Sequence, residues 1–231
     1  ARRHTAQYRL HFLSLAEEFI SLAFSAEQEN ERRAMMASMG QDVSNSSAGV
    51  SEKEIKEYKK KAKALIDKSI EVMPASIVLD YGEPNRSNNP RDNYKINGKD
   101  LSAYADGVLH DYVGILYMAG DKKGAEKLGN EVAGQLESII GYYEKSNIAI
   151  AARGDNTKDF YAALAAYFKL SSAANDSEFG DPEGVLAKRT NAKIDYFYKT
   201  MFPSMFNKLE ALANENGESV RRGSRAGYYA G

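Results

Sequence analysis

The chain is 231 residues long, enough for one large core, two small ones or a single body built from repeats. Its 31 Lys and Arg nearly cancel its 32 Asp and Glu, and the formal charge of −1 excludes a general attraction to nucleic acid or anionic membrane. The absence of cysteine excludes disulfides, thiol nucleophiles and cysteine-ligated zinc, and permits a reducing or an oxidising compartment. Apolar runs are broken by charge well short of the roughly 20 residues that a membrane-spanning helix needs, so the sequence reads as a soluble domain. Arg2, Arg3 and His4 stand directly ahead of an amphipathic run with no initiating methionine, which reads as the C-terminal piece of a longer protein.

Over 8–23, Phe12, Leu13, Ala16, Phe19, Ile20 and Ala23 recur at three- and four-residue intervals and predict a first helix. The Gly, Ser, Asn and Asp of 37–51 predict a flexible connection. Ser51 and Glu54 have the spacing of a capping box, and the stripe from Ile55 through Ala62, Leu65, Ile66 and Ser69 predicts a second helix ending near Met73, before Pro74. The stretch 80–100 is irregular, with Gly82, Pro84, Pro90 and an Asn97-Gly98 turn pair.

Asp100 is a candidate cap for a third helix running to Met118. Gly120-Asp121 then makes a turn short enough to force an antiparallel fourth helix through Leu128, Val132, Leu136, Ile140 and Tyr143. Asn156 and Thr157 are natural starts for a fifth helix carrying Phe160, Leu164, Tyr167 and Phe168. Asp181-Pro182 opens a sixth, which Pro203 should kink or divide. No alternating strand pattern emerges, so the expected fold is all-α, built from stacked antiparallel hairpins of about six to seven helices. One domain is expected over 1–217, with long loops at about 37–51 and 80–100, followed by a mobile Arg/Gly-rich tail at 218–231.

Ala62, Ile66, Ser69 and Pro74 have the intervals of a tetratricopeptide helix pair, in which small residues let two helices cross closely. Tyr112, Leu116, Gly120 and Ala125 repeat the pattern across the third and fourth helices, whereas Gly129 stands where a bulky residue is expected. The fold therefore reads as a tetratricopeptide-like right-handed superhelix or a bundle. A wider likeness rests on three segments. They are Arg9, Phe12, Leu15, Ala16, Phe19 and Ile20; Ala62, Leu65, Asp67, Lys68, Glu71, Met73 and Pro74; and Tyr117, Ala119, Gly120, Ala125, Leu128, Leu136, Tyr142 and Tyr143. Together these span 8–143 and resemble the soluble C-terminal region of large bacterial polytopic membrane proteins of unknown function. The membrane part of that family is similar to glycosyltransferases that use lipid-linked sugars, including protein O-mannosyltransferases. The resemblance implies a helical-repeat appendage on the extracytoplasmic, periplasmic side, with the reaction centre elsewhere in the parent.

The residues offer few chemical constellations. His4, His11 and Glu18 lie seven apart, about 10 Å between neighbours along a helix, too far to share a metal. His110 beside Asp111 lacks a nucleophile and reads as a surface or capping pair. Glu17, Glu18, Asp176 and Glu178 read as solvated, and Gly120 with Gly124 lacks a phosphate-loop pattern. Lys59, Lys60, Lys61 and Lys63 read as an ordinary solvated face beside Glu54, Glu57 and Asp67. Tyr81, Tyr94, Tyr104, Tyr112, Tyr142 and Tyr143 offer flat apolar rings with polar tips, some of which must be core. Asp80, Tyr81, Glu83, Asn85, Arg86, Asn89 and Arg91, with Tyr104, are the candidate binding residues of the long loop. No catalytic residue, metal or cofactor is assigned. The expected function is a non-catalytic interaction or scaffold domain for a peptide, a protein or other parts of its parent. The alternative is a free-standing extracytoplasmic binding protein for peptide or carbohydrate.

Overall fold

In the computed structural model, the described residues are 2–40, 49–75, 95–96, 99–100, 108–145 and 158–215. They form seven α-helices in six rods: α1 (Arg2–Ser38), α2 (Glu52–Val72), α3 (Leu109–Met118), α4 (Lys122–Lys145), α5 (Lys158–Ala174), α6 (Val185–Tyr196) and α7 (Phe202–Glu215). A π-helical turn, Phe197–Met201, joins the last two. A two-residue antiparallel pair, β1 (Lys95–Ile96) and β2 (Lys99–Asp100), flanks the predicted Asn97-Gly98 turn, with Lys95 opposite Asp100. The sequence reading had no strand here.

Helix α1 is longer than its apolar stripe suggested. Residues 24–38 contain no Gly or Pro and are mostly good helix formers, with Arg32 donating to both Glu29 oxygens at 2.9 and 2.8 Å. The helix therefore continues into the predicted connection and turns only at Gly40, whose φ of 74° is left-handed. Helix α2 begins as predicted, because Ser51 Oγ accepts from Glu54 N at 3.2 Å while Glu54 Oε2 accepts from Ser51 N at 3.0 Å. Its stripe Ile55, Ala62, Ile66 and Ser69 is buried. Arg9, wholly buried on α1, donates from Nη2 to Met73 O at 2.8 Å and Pro74 O at 3.5 Å, placing a cation on the carbonyl end of α2.

Helix α3 starts at Leu109, not Asp100, which lies in β2; no side-chain cap serves α3. Its end follows the expected turn. Asp121 N donates to Leu116 O and Gly120 N to Tyr117 O, both at 2.9 Å, with Gly120 at φ 83°. That pair of bonds is a Schellman closure, which only a residue tolerant of positive φ completes at low cost. Asp121 Oδ1 then accepts from Gly124 N at 3.0 Å and caps α4. Residues 160–167 of α5 are all buried, as befits a helix enclosed by neighbours.

The sixth rod corrects a boundary. Asp181 and Pro182 sit in a turn, and α6 begins at Val185. Gly184 has no side chain to cap it, so Glu126 of α4 accepts from Leu186 N through both oxygens, at 3.2 and 3.0 Å. The expected division of this rod occurs just ahead of Pro203, where the wider π turn relieves the proline's clash with the preceding turn.

Successive rods pair as α1/α2, α3/α4 and α5/α6. Helix α3 also rests on α1 and α2, α5 on α3 and α4, and α6 on α4, so each hairpin packs on the one before. Ser69 Oγ and Tyr112 Oη are 2.7 Å apart, and Tyr112 Oη donates to Arg9 O at 2.9 Å. Tyr112 has one proton, already given to Arg9, so Ser69 is the donor between them. This buried network joins α1, α2 and α3.

Candidate functional site

The stacking sets α1, α3 and α5, the first helix of each hairpin, around one open groove of about 730 Å³. Each contributes a stripe at helical spacing: Glu17, Ile20, Ser21, Phe24 and Gln28 from α1, and His110, Asp111, Gly114, Ile115 and Met118 from α3. Lys169, Ser172 and Ala173 of α5 form the third wall, with Asp176 in the turn after it. Ile20 and Ile115 are buried beneath it. The Phe24 and Phe179 rings, 4.7 Å between centroids, join α1 to the turn that carries Asp176. Asp176 Oδ1 accepts from the Glu178 and Phe179 N–H groups, both at 2.9 Å, which holds that turn closed.

Glu17 is exposed at the groove's edge, and partial desolvation there, with the negative charge of Asp111, raises its carboxyl above the ordinary range. Asp111 lies in the first turn of α3, where the helix dipole favours an anion. His110 is buried rather than superficial, with Nε2 3.4 Å from Asp111 Oδ1. A Cβ on Gly114 would meet only Met118 Cε, at 3.9 Å, so the backbone of α3 is open to the groove.

Several residues read as solvated or superficial thus line the same groove: Glu17, His110, Asp111 and Asp176. Glu18 and Glu178 are exposed and do not line it. The signal for this groove was present as three stripes, but which stripes face one another is a tertiary fact. Asp80, Tyr81, Glu83, Asn85, Arg86, Asn89, Arg91, Tyr94 and Tyr104 lie outside the described residues, as does the tail from 216 onward. Tyr112 is core, Tyr143 half-buried and Tyr142 exposed.

Lys60 of the basic run is exposed, whereas Lys59, Lys61 and Lys63 are engaged within the fold. Lys59 pairs with Glu27 at 2.7 Å and lies over the Phe24 ring; Lys61 lies over Phe19; Lys63 pairs with Asp67 and reaches Asp121 at 3.2 Å. The repeat-packing positions Ala62, Ile66, Ser69, Leu116 and Ala125 are buried. Gly129, the departure from the pattern, has a physical reason: a Cβ there would overlap the buried Leu186 side chain, so the bulky group comes from α6 instead.

Among the described residues no three His, Asp or Glu are grouped to hold a metal ion, and no helix is long and apolar enough to cross a membrane. Among the described residues the fold is a stack of helical hairpins with an open groove across their first helices. Comparison with protein-family models, curated proteins and solved structures gave no match to this chain.

Proposed function

We propose that this chain is a non-catalytic, tetratricopeptide-like interaction domain whose groove holds a peptide segment of a partner or of its parent protein. The observation that carries this reading is that the first helices of three successive hairpins line one groove, the face that helical-repeat proteins use for recognition. The volume is in the usual range for ligand clefts, and the lining alternates apolar floor with polar wall. Phe24 is the one aromatic residue among the lining positions, and its ring is spent on Phe179. That favours a peptide over a sugar, which stacks best on exposed rings.

The parent we propose is a bacterial membrane protein with a glycosyltransferase-like catalytic part, the domain lying on its extracytoplasmic side. This reading rests on the resemblance of the three segments, in which Arg9, Ala16, Ile20, Ala62, Leu128 and Leu136 are buried and so serve packing. Tethering beside a catalytic site would raise the local concentration of a weakly held acceptor. Reading the coding sequence upstream of Ala1 tests the parent. Successive apolar segments of spanning length support it, and their absence leaves the free-standing binding protein.

The groove itself is tested by Gly114→Trp. The helix tolerates a side chain there, so the variant should keep its helical circular dichroism and lose peptide binding by at least about tenfold. Unchanged binding would move the site elsewhere.

A further inference from the structure

The first hairpin carries two apolar rows that the fold leaves open. On α1, Tyr8, Leu15 and Leu22 recur at intervals of seven and are 63, 49 and 45% exposed. On α2, Tyr58, Leu65 and Val72 recur at the same interval; the first two are half-buried and Val72 is 61% exposed. The outermost hairpin of a helical stack ordinarily turns a polar face to water. Helix α3 rests on the other side of this one, where Lys63 of α2 reaches Asp121.

The two rows are in register. The Phe19 and Tyr58 rings stack at 6.3 Å and Arg9 Nη2 bonds Met73 O at 2.8 Å, which fixes the level of α2 against antiparallel α1. Counting one residue up α1 for each residue down α2 then sets Leu22 beside Tyr58, Leu15 beside Leu65 and Tyr8 beside Val72. Seven residues of helix rise about 10 Å, so these pairs are successive layers of the kind that fill an antiparallel four-helix bundle. The hairpin supplies two of the four helices.

We propose that a second copy of this chain supplies the other two, in a two-fold dimer whose axis runs parallel to the rods. Such an axis keeps every layer at its own level and lays α1 of each copy against α2 of the other. Charge favours a copy over an unrelated partner. Lys61 lies over the Phe19 and Tyr58 rings at 5.5 and 6.0 Å, so its ammonium needs an anion once the face is covered. Glu18, exposed between Leu15 and Leu22, stands one residue from the level of Lys61 on the other helix. The axis therefore brings Glu18 of each copy to Lys61 of the other, two identical pairs of opposite charge. The groove is lined by a different stripe of α1, with Glu17, Ser21 and Phe24, and stays open in the dimer.

Sedimentation equilibrium of the full chain, from low micromolar to millimolar concentration, should show a reversible monomer–dimer equilibrium. Leu15→Glu, at a half-exposed position, should keep its helical circular dichroism and weaken self-association at least about tenfold. Glu18→Lys and Lys61→Glu should each weaken it as well, because like charges then meet. An equimolar mixture of those two variants should regain the dimer, since both cross pairs are again opposite in charge. A chain that stays monomeric throughout, a dimer indifferent to Leu15→Glu, or a mixture that associates no better than either variant alone would each overturn the proposal. If Leu15→Glu unfolds the chain, the two charge variants, both at exposed positions, decide it.

Discussion

Four glycines in helices α3, α4 and the entry to α6 look alike in the sequence and do different work. Gly129 makes room for Leu186, Gly184 for the Glu126 carboxylate and Gly124 for its own cap Asp121, whereas Gly114 makes room for nothing in the described fold. A residue-scale prediction follows from the contrast. Gly114→Ala should raise stability by up to about 1 kcal/mol through helix propensity alone. Gly129→Ala, despite the same propensity gain, should cost about 1–3 kcal/mol, because the added methyl forces the fully buried Leu186 out of its position. Urea denaturation of both variants checks this, and a stabilised Gly129→Ala would refute the packing account. The sequence showed that residue 129 departs from the repeat pattern; it could not show that Leu186, far along the chain, is the reason.

Helix ends show the same division at the scale of elements. Helix α2 carries its own cap, Ser51 with Glu54 three residues later, and that start was legible because both partners are local. Helix α6 borrows its cap from α4, so the local signal Asp181-Pro182 pointed a few residues too early. Tyr117 Oη also reaches Glu126 at 3.4 Å, and burial, with the charge of that carboxylate, pushes the phenol well above its ordinary range. Glu126→Ala should cost about 1–2 kcal/mol, since it strips the first turn of α6 of its acceptor. Amide hydrogen exchange should quicken there while the first turn of α2 is unaffected. Equal protection of α6 in variant and wild type would show that the borrowed cap contributes nothing. The start of α3 was misplaced for a related reason: Asp100 is a good cap in isolation, but its backbone is committed to pairing with Lys95.

Across the whole molecule, polar networks tie hairpin to hairpin. Glu137 of α4 accepts from Arg189 Nε at 3.0 Å and Nη2 at 2.9 Å, and from Tyr167 Oη at 2.7 Å, joining α4, α5 and α6. Burial alone would raise the Glu137 carboxyl, but the hydrogen bonds from Arg189 and Tyr167 and the charges of Arg189 and Lys193 hold it below its ordinary range. A carboxylate depressed in the native state contributes stability above its unfolded pKa, about 4.3, and loses that contribution as pH falls through the lower native value. Glu17 has the opposite sign, its ionised form opposing folding, but it is solvent-exposed and its contribution is screened. Glu137→Gln should therefore be less stable than wild type by about 2 kcal/mol at neutral pH, a deficit that narrows below about pH 4. A deficit equal at neutral and acid pH would mean the ion pair is not its source. The sequence by itself determined the class of fold, the helical stripes and the locally capped ends, because periodicity, propensity and capping act within a few residues. Only the tertiary structure decided which stripes share a groove, why Gly129 is small and which carboxylate meets which guanidinium, because those depend on the stacking of rods whose contacts span tens of residues.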